Sequence, residues 1–231
     1  MTAFILLHGG GDTGWSWHLV AAALRARGHE AIAPDLPADD ETATLEDYAD
    51  AVVAATGEQR GVVVVGHSFG AFTAPLVADR LHADALVLLA GMIPRPGEPP
   101  EDWWENTGYS RAAAEQAALD GGLTGHEDPL VSFYHDVPHA LASDALSLER
   151  AHPSAAAMRT PWPMDAWPDV PTRMIVCTED RFFPAAFLRD LAAERLGVVA
   201  DEIAGSHCVM LSRPEELARM LIDIADGAAG R

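Results

Sequence analysis

The 231-residue chain contains no lysine; all 15 of its basic residues are arginine. Without a lysine amine there is no pyridoxal Schiff base, no lysine-dependent decarboxylation and no phosphate-loop lysine. Cysteine is nearly absent too. Cys177 and Cys208 lie far apart in sequence, which excludes a cysteine-based metal motif, and no metal is expected. No glycine-rich dinucleotide fingerprint follows a strand, so the expected cofactor is none. No apolar run reaches membrane-spanning length, and no basic leader precedes the first apolar segment at Phe4. Positive charge is outweighed by 35 acidic residues, leaving a formal net charge of −20. That balance opposes nucleic acid and anionic membrane surfaces as partners. The expectation is a cytoplasmic protein with reduced cysteines. Its oligomeric state stays open, a homodimer included.

What is present is an alternation of apolar strand-like runs and helical patterns. The runs are Ala3–Leu7, Ala31–Ala33, Gly61–Val65, Ala85–Leu89, Arg173–Cys177 and Val198–Ile203. Helical patterns fall near Trp15–Arg27, Leu45–Ala55, Phe69–Leu81, Ala185–Leu196 and Pro214–Ala225. Such alternation predicts an α/β fold: a mostly parallel sheet of about six strands with helices on both faces. A length of 231 residues suits a single domain, 1–231. The pattern breaks between about residues 91 and 168, a stretch bounded by Pro94-Arg95-Pro96-Gly97-Glu98-Pro99-Pro100 and Pro161-Trp162-Pro163. With helical patterns at Arg111–Leu119 and His139–Glu149, it reads as an inserted cap over the active site.

Gly66-His67-Ser68-Phe69-Gly70 follows the β-branched run ending at Val65 and precedes a helix. Strand, G-x-S-x-G, helix is the context in which a serine sits on a strained turn with Oγ exposed above the sheet edge. Glycines two before and two after keep the crowded backbones apart. A serine hydroxyl is a weak nucleophile, so Ser68 demands a base, an orienting acid and donors for a developing oxyanion. Each is expected at a strand's carboxyl end.

The base is assigned to His207, in the loop Gly205-Ser206-His207 between the last strand and the last helix. Among the other nine histidines, His67 adjoins Ser68 and its side chain diverges from it, while His8 is placed to brace a glycine-rich loop. His18, His29 and His82 fall in or beside helices; His126, His135, His139 and His152 occupy the irregular middle region, within reach of a ligand. The orienting acid is assigned to Asp180, in the exit loop Thr178-Glu179-Asp180-Arg181, with Glu179 as near rival and Asp35 as a turn residue. The oxyanion donors are assigned to the amide of Phe69, at the positive end of its helix, and to that of Gly10 in His8-Gly9-Gly10-Gly11. Trp15, Trp17, Met92, Trp104, Phe133 and Trp162 are candidates for an apolar, aromatic substrate pocket.

These residues resemble the α/β-hydrolase superfamily over essentially the whole chain, in particular the compact members that include plant methyl-ester esterases and hydroxynitrile lyases. The resemblance rests on Leu7-His8-Gly9-Gly10 with Gly14-Trp15-Ser16-Trp17, on Pro34-Asp35-Leu36-Pro37 and on the Ser68 motif. It rests also on Cys177-Thr178-Glu179-Asp180 with Gly205-Ser206-His207 and Ser212-Arg213-Pro214-Glu215. The order serine, acid, histidine is that superfamily's order. The resemblance implies the α/β-hydrolase fold and a Ser68–His207–Asp180 triad. Plant-type lyases carry threonine where this chain has Gly9, and lysine where it has Cys208. The esterase branch is therefore implied: a serine hydrolase of small to medium apolar or aromatic carboxylic esters, working through an acyl-enzyme on a small-molecule substrate. A non-hydrolytic enzyme on the same scaffold (a lyase or a cyclisation step) and a ligand-binding protein with an idle triad remain the alternatives.

Overall fold

In the computed structural model, which describes residues 1–150 and 153–229, one sheet organises the chain. Its strands are β1 (Ala3–Leu7), β2 (Glu30–Ile32), β3 (Val62–His67), β4 (Ala85–Leu89), β5 (Thr172–Cys177) and β6 (Asp201–Ile203). Their order is β2-β1-β3-β4-β5-β6 and every neighbouring pair is parallel. Strands buried on both faces read as continuous apolar runs; every residue of β1, β3 and β4 is buried.

Handedness then places the helices. The chain moves outward from β1 to β2, then reverses and steps through β3 to β6 in one direction. Right-handed crossovers put α1 (His18–Arg25) on one face, and α2 (Leu45–Thr56), α3 (Gly70–Arg80) and α9 (Ala185–Leu196) on the other. The last helix, α11 (Pro214–Ala229), packs on α1. Reversal at β1 opens a crevice beyond the carboxyl ends of β1 and β3, where ligands of open α/β sheets bind.

Two expected boundaries shift. The helix expected from Trp15 begins as a 3-10 turn, Gly14–Trp17, capped by Thr13, and α1 proper starts at His18. The last strand, expected over Val198–Ile203, pairs only over Asp201–Ile203, because Gly197 closes α9 in the left-handed conformation and residues 198–200 make no ladder contact. Between β4 and β5, five helices lie among the described residues: α4 (Trp103–Asn106), α5 (Tyr109–Asp120), α6 (Pro129–Ser132), α7 (His139–Ser147) and α8 (Ala155–Arg159). The proline-bounded patterns at 111–119 and 139–149 fall on α5 and α7. The four- and five-residue helices are too short for a periodicity to betray. A further short helix, α10 (Val209–Ser212), follows the His207 loop.

This inserted segment is anchored by buried polar ties. Trp103 Nε1 donates to the Ile93 carbonyl at 2.9 Å, and Trp162 Nε1 to the Phe72 carbonyl at 2.9 Å. At the segment's entrance, Arg195 of α9 meets Glu98 in an ion pair with both side chains buried. The stretch Pro94–Pro100 is thus fixed against the body rather than loosely linking to it.

Candidate active site

β3 runs through His67 and α3 starts at Gly70, leaving two residues to reverse the chain. Ser68 makes that reversal with φ of 50°, a conformation that costs a non-glycine residue roughly 1–3 kcal/mol. Its backbone is over-determined: its N–H donates to Leu89 O at 3.1 Å, and its carbonyl accepts from Met92 N at 3.0 Å and Ala71 N at 3.2 Å. A Cβ at Gly66 would stand 2.6 Å from the Ala74 methyl, and one at Gly70 would stand 2.5 Å from the His8 carbonyl oxygen. Both glycines are required by contact, as the motif predicts.

His207 stands beyond β6 and Asp180 beyond β5. The His207 Nδ1–H donates to Asp180 Oδ2 at 2.7 Å, with both side chains buried. This fixes the tautomer that leaves Nε2 unprotonated. Asp180 Oδ1 accepts from the amides of Phe182 at 2.7 Å and Phe183 at 3.0 Å, so the carboxylate cannot rotate away. Phe133, Phe182 and Phe183 pack edge-on around the imidazole at 5.2–5.5 Å between ring centres. The rivals are elsewhere: Glu179 is exposed, and Asp35 accepts from Gly14 N at 2.8 Å while pairing with Arg150.

The loop after β1 is held by His8. Its Nδ1–H donates to the Gly9 carbonyl at 2.8 Å and its Nε2 accepts from Leu36 N at 3.0 Å, in keeping with a ring that burial holds neutral. The amides of Gly10 and Phe69 donate to no other described residue, and both residues line the same cavity as Ser68 and His207. Positive φ in this loop falls on Gly11. His67, kept neutral by burial, donates its Nε2–H to the His207 carbonyl at 3.0 Å, which ties the two loops together.

The cavity over these groups has a volume of about 460 Å³, within the range of small-molecule sites. Met92, Trp104 and Phe133 line it. Trp15, Trp17 and Trp162 do not. Trp15 stacks on His18 at 4.4 Å, Trp17 is wholly buried behind the loop, and Trp162 is buried with its Nε1 committed to Phe72. Their rings fill the body and not the cavity. Of the middle histidines, His126, His135 and His139 stand outside the lining; His135 Nε2 donates to the Glu179 carbonyl at 2.9 Å. His152 lies outside the described residues. Sequence reasoning missed Phe182, Met158 and Asp12 in the lining, which also holds Tyr134, a neighbour of Phe133 in the inserted segment. Phe182 carried a signal, since it sits two residues past Asp180 in a loop already assigned to the site, and Asp12 follows the three glycines directly.

The geometry agrees with comparison to known proteins. The model of the Alpha/beta hydrolase family matches residues 4–220, and the chain belongs to that family. "Esterase PIR7B" from Oryza sativa subsp. japonica is 31% identical over 258 aligned positions, covering 96% of this chain and 95% of that protein. "Norfluorocurarine synthase 1" from Strychnos nux-vomica is 28% identical, with 96% and 95% covered. Among solved structures, a pyrethroid hydrolase from Sphingobium faniae JZ-2 superposes with a TM-score of 0.78 at 25% identity, covering 100% of this chain and 99% of that one. No described helix is long and apolar enough to cross a membrane.

Proposed function

We propose that this chain hydrolyses small-molecule carboxylic esters through an acyl-enzyme on Ser68. The observation that carries the reading is the meeting, around one cavity, of a serine on a strained turn, a tautomer-fixed histidine and two amides without an acceptor among the described residues. Ser68 Oγ attacks the ester carbonyl carbon as its proton passes to His207 Nε2. The carbonyl oxygen becomes an oxyanion between the N–H groups of Gly10 and Phe69. Collapse expels the alkoxide, which takes the proton from His207 and leaves as the alcohol. Water then repeats the sequence on the acyl-serine, giving the acid and restoring Ser68. Asp180 acts through His207 as a positioning residue, holding the tautomer and favouring the transient imidazolium. The segment between β4 and β5 acts as the cap. It supplies Trp104, Phe133, Tyr134 and Met158 to an apolar acyl or alkyl site. The cytoplasm is the proposed compartment, supported by two unpaired buried cysteines.

The test is hydrolysis of p-nitrophenyl esters from acetate to decanoate by wild type and Ser68→Ala. The substitution is expected to remove turnover by a factor on the order of 10⁶, and the best chain length measures the cavity. Retention of more than about a tenth of the activity would exclude Ser68 as nucleophile. Substrate consumed without release of acid would select the non-hydrolytic alternative.

A further inference from the structure

The cavity wall carries a carboxyl group that the hydrolytic reading does not use. Asp12 follows Gly9-Gly10-Gly11 on the loop beyond β1 and lines the same cavity as Ser68 and His207. Its amide donates to the Gly9 carbonyl at 3.4 Å, but its carboxylate makes no hydrogen bond or ion pair with another described residue, unlike that of Asp180, which uses both oxygens. Among the described residues, the ionisable groups that act on it are His207, Glu149, Tyr134 and Cys208. None of these is a fixed cation. The Tyr134 hydroxyl and the Cys208 thiol lie beside each other, and burial raises the pKa of both. The cation on the cavity rim, Arg150, is committed to Asp35 at 3.1 Å and Asp39 at 3.4 Å.

We propose that Asp12 selects substrates by charge, so that the cavity takes esters whose acyl or alkyl arm carries a quaternary or protonated amine and rejects arms carrying a carboxylate. The proposal rests on the hydrolase reading and names its substrate class. A neutral arm leaves Asp12 desolvated and unpaired, which is unfavourable for a carboxylate. A cationic arm supplies the missing partner, and the rings of Trp104, Phe133, Tyr134 and Phe182 on the same wall offer π-faces to it. An anionic arm adds a like charge in a medium that screens it poorly. Asp12 is partly buried at the cavity, and this burial pushes its pKa up to about 7, with His207 opposing the effect and Glu149 adding to it. At pH 8 the carboxylate form dominates and a cation meets a full charge.

The test separates this inference from the hydrolase reading by measuring binding without turnover. Choline and its neutral isostere 3,3-dimethylbutan-1-ol are titrated into wild type and Asp12→Asn by calorimetry at pH 8. Wild type is expected to bind choline about tenfold or more tightly than the isostere, and Asp12→Asn to lose most of that ratio. Equal binding of the two by wild type overturns the proposal, whether or not the variant folds. So does an unchanged ratio in a folded variant. In parallel, kcat/KM is compared for p-nitrophenyl 4-(trimethylammonio)butanoate, p-nitrophenyl 5,5-dimethylhexanoate and the glutarate monoester. The expected order is cation, neutral, anion, with the span narrowed in Asp12→Asn. Turnover of the neutral ester without that order overturns the charge selection alone, whereas absence of all turnover overturns the hydrolase reading.

Discussion

The elbow helix and the longest helix of the inserted segment differ in what holds them. In α3 every residue from Gly70 to Ala78 is buried, pressed against the sheet by contacts that leave no room for a methyl group at Gly66 or Gly70. In α5, Tyr109–Asp120, no residue is buried; the segment around it is held at separate points, by the two indole bonds, the Glu98–Arg195 pair, and bonds from Ser154 to Tyr48 and Ala43. The proposed nucleophile sits on the first kind of structure and the aromatic part of the proposed substrate site on the second, while Asp12 belongs to the loop beyond β1. Dense packing keeps a strained serine in place within fractions of an ångström; an exposed helix lets the outer side of the cavity vary without disturbing the proposed nucleophile.

That division sets the order of expected effects. Asp180→Asn is expected to lower kcat by about 10⁴-fold through the wrong histidine tautomer. Glu179→Gln, on the same loop but exposed, is expected to leave it within about threefold. Steady-state kinetics on one ester decide it, and exchanged results would exchange the two roles. Next come two tryptophans of the same segment. Trp162→Ala removes a buried ring and a satisfied indole bond, and is expected to destabilise by about 3–5 kcal/mol, read as a lower Tm. Trp104→Ala opens the cavity wall instead. Its expected effect is a KM raised by up to about tenfold for apolar esters with kcat nearly kept. Equal Tm losses for the two variants would erase the distinction between anchor and wall.

The same contrast explains what could be read before any coordinates. β1, β3 and β4 are buried throughout because both faces are covered; Ser68 follows β3 directly, while Asp180 and His207 lie in the loops that leave β5 and β6, so the residues of the proposed triad could be nominated by position in the chain. Asp35 and His8 were legible as braces for a similar reason: short turns at strand ends have few tasks. The aromatic wall was legible only in part. Trp104 and Trp162 carry the same side chain in the same segment, yet Trp162 finds the Phe72 carbonyl 90 residues away in sequence and Trp104 lines the cavity, a difference set by the assembled fold. Asp12 was hidden by the 34 other acidic residues of the chain. Desolvation, which distinguishes it, is a property of the assembled cavity.

The most direct test of the central claim is covalent capture. The enzyme is treated with diisopropyl fluorophosphate, whose fluoride is displaced by an activated serine oxygen, and then digested for mass spectrometry. The account predicts one phosphoryl group per chain on Ser68, loss of esterase activity in step with labelling, and no adduct in Ser68→Ala. An adduct on another residue, or ester hydrolysis that survives complete modification of Ser68, would contradict it.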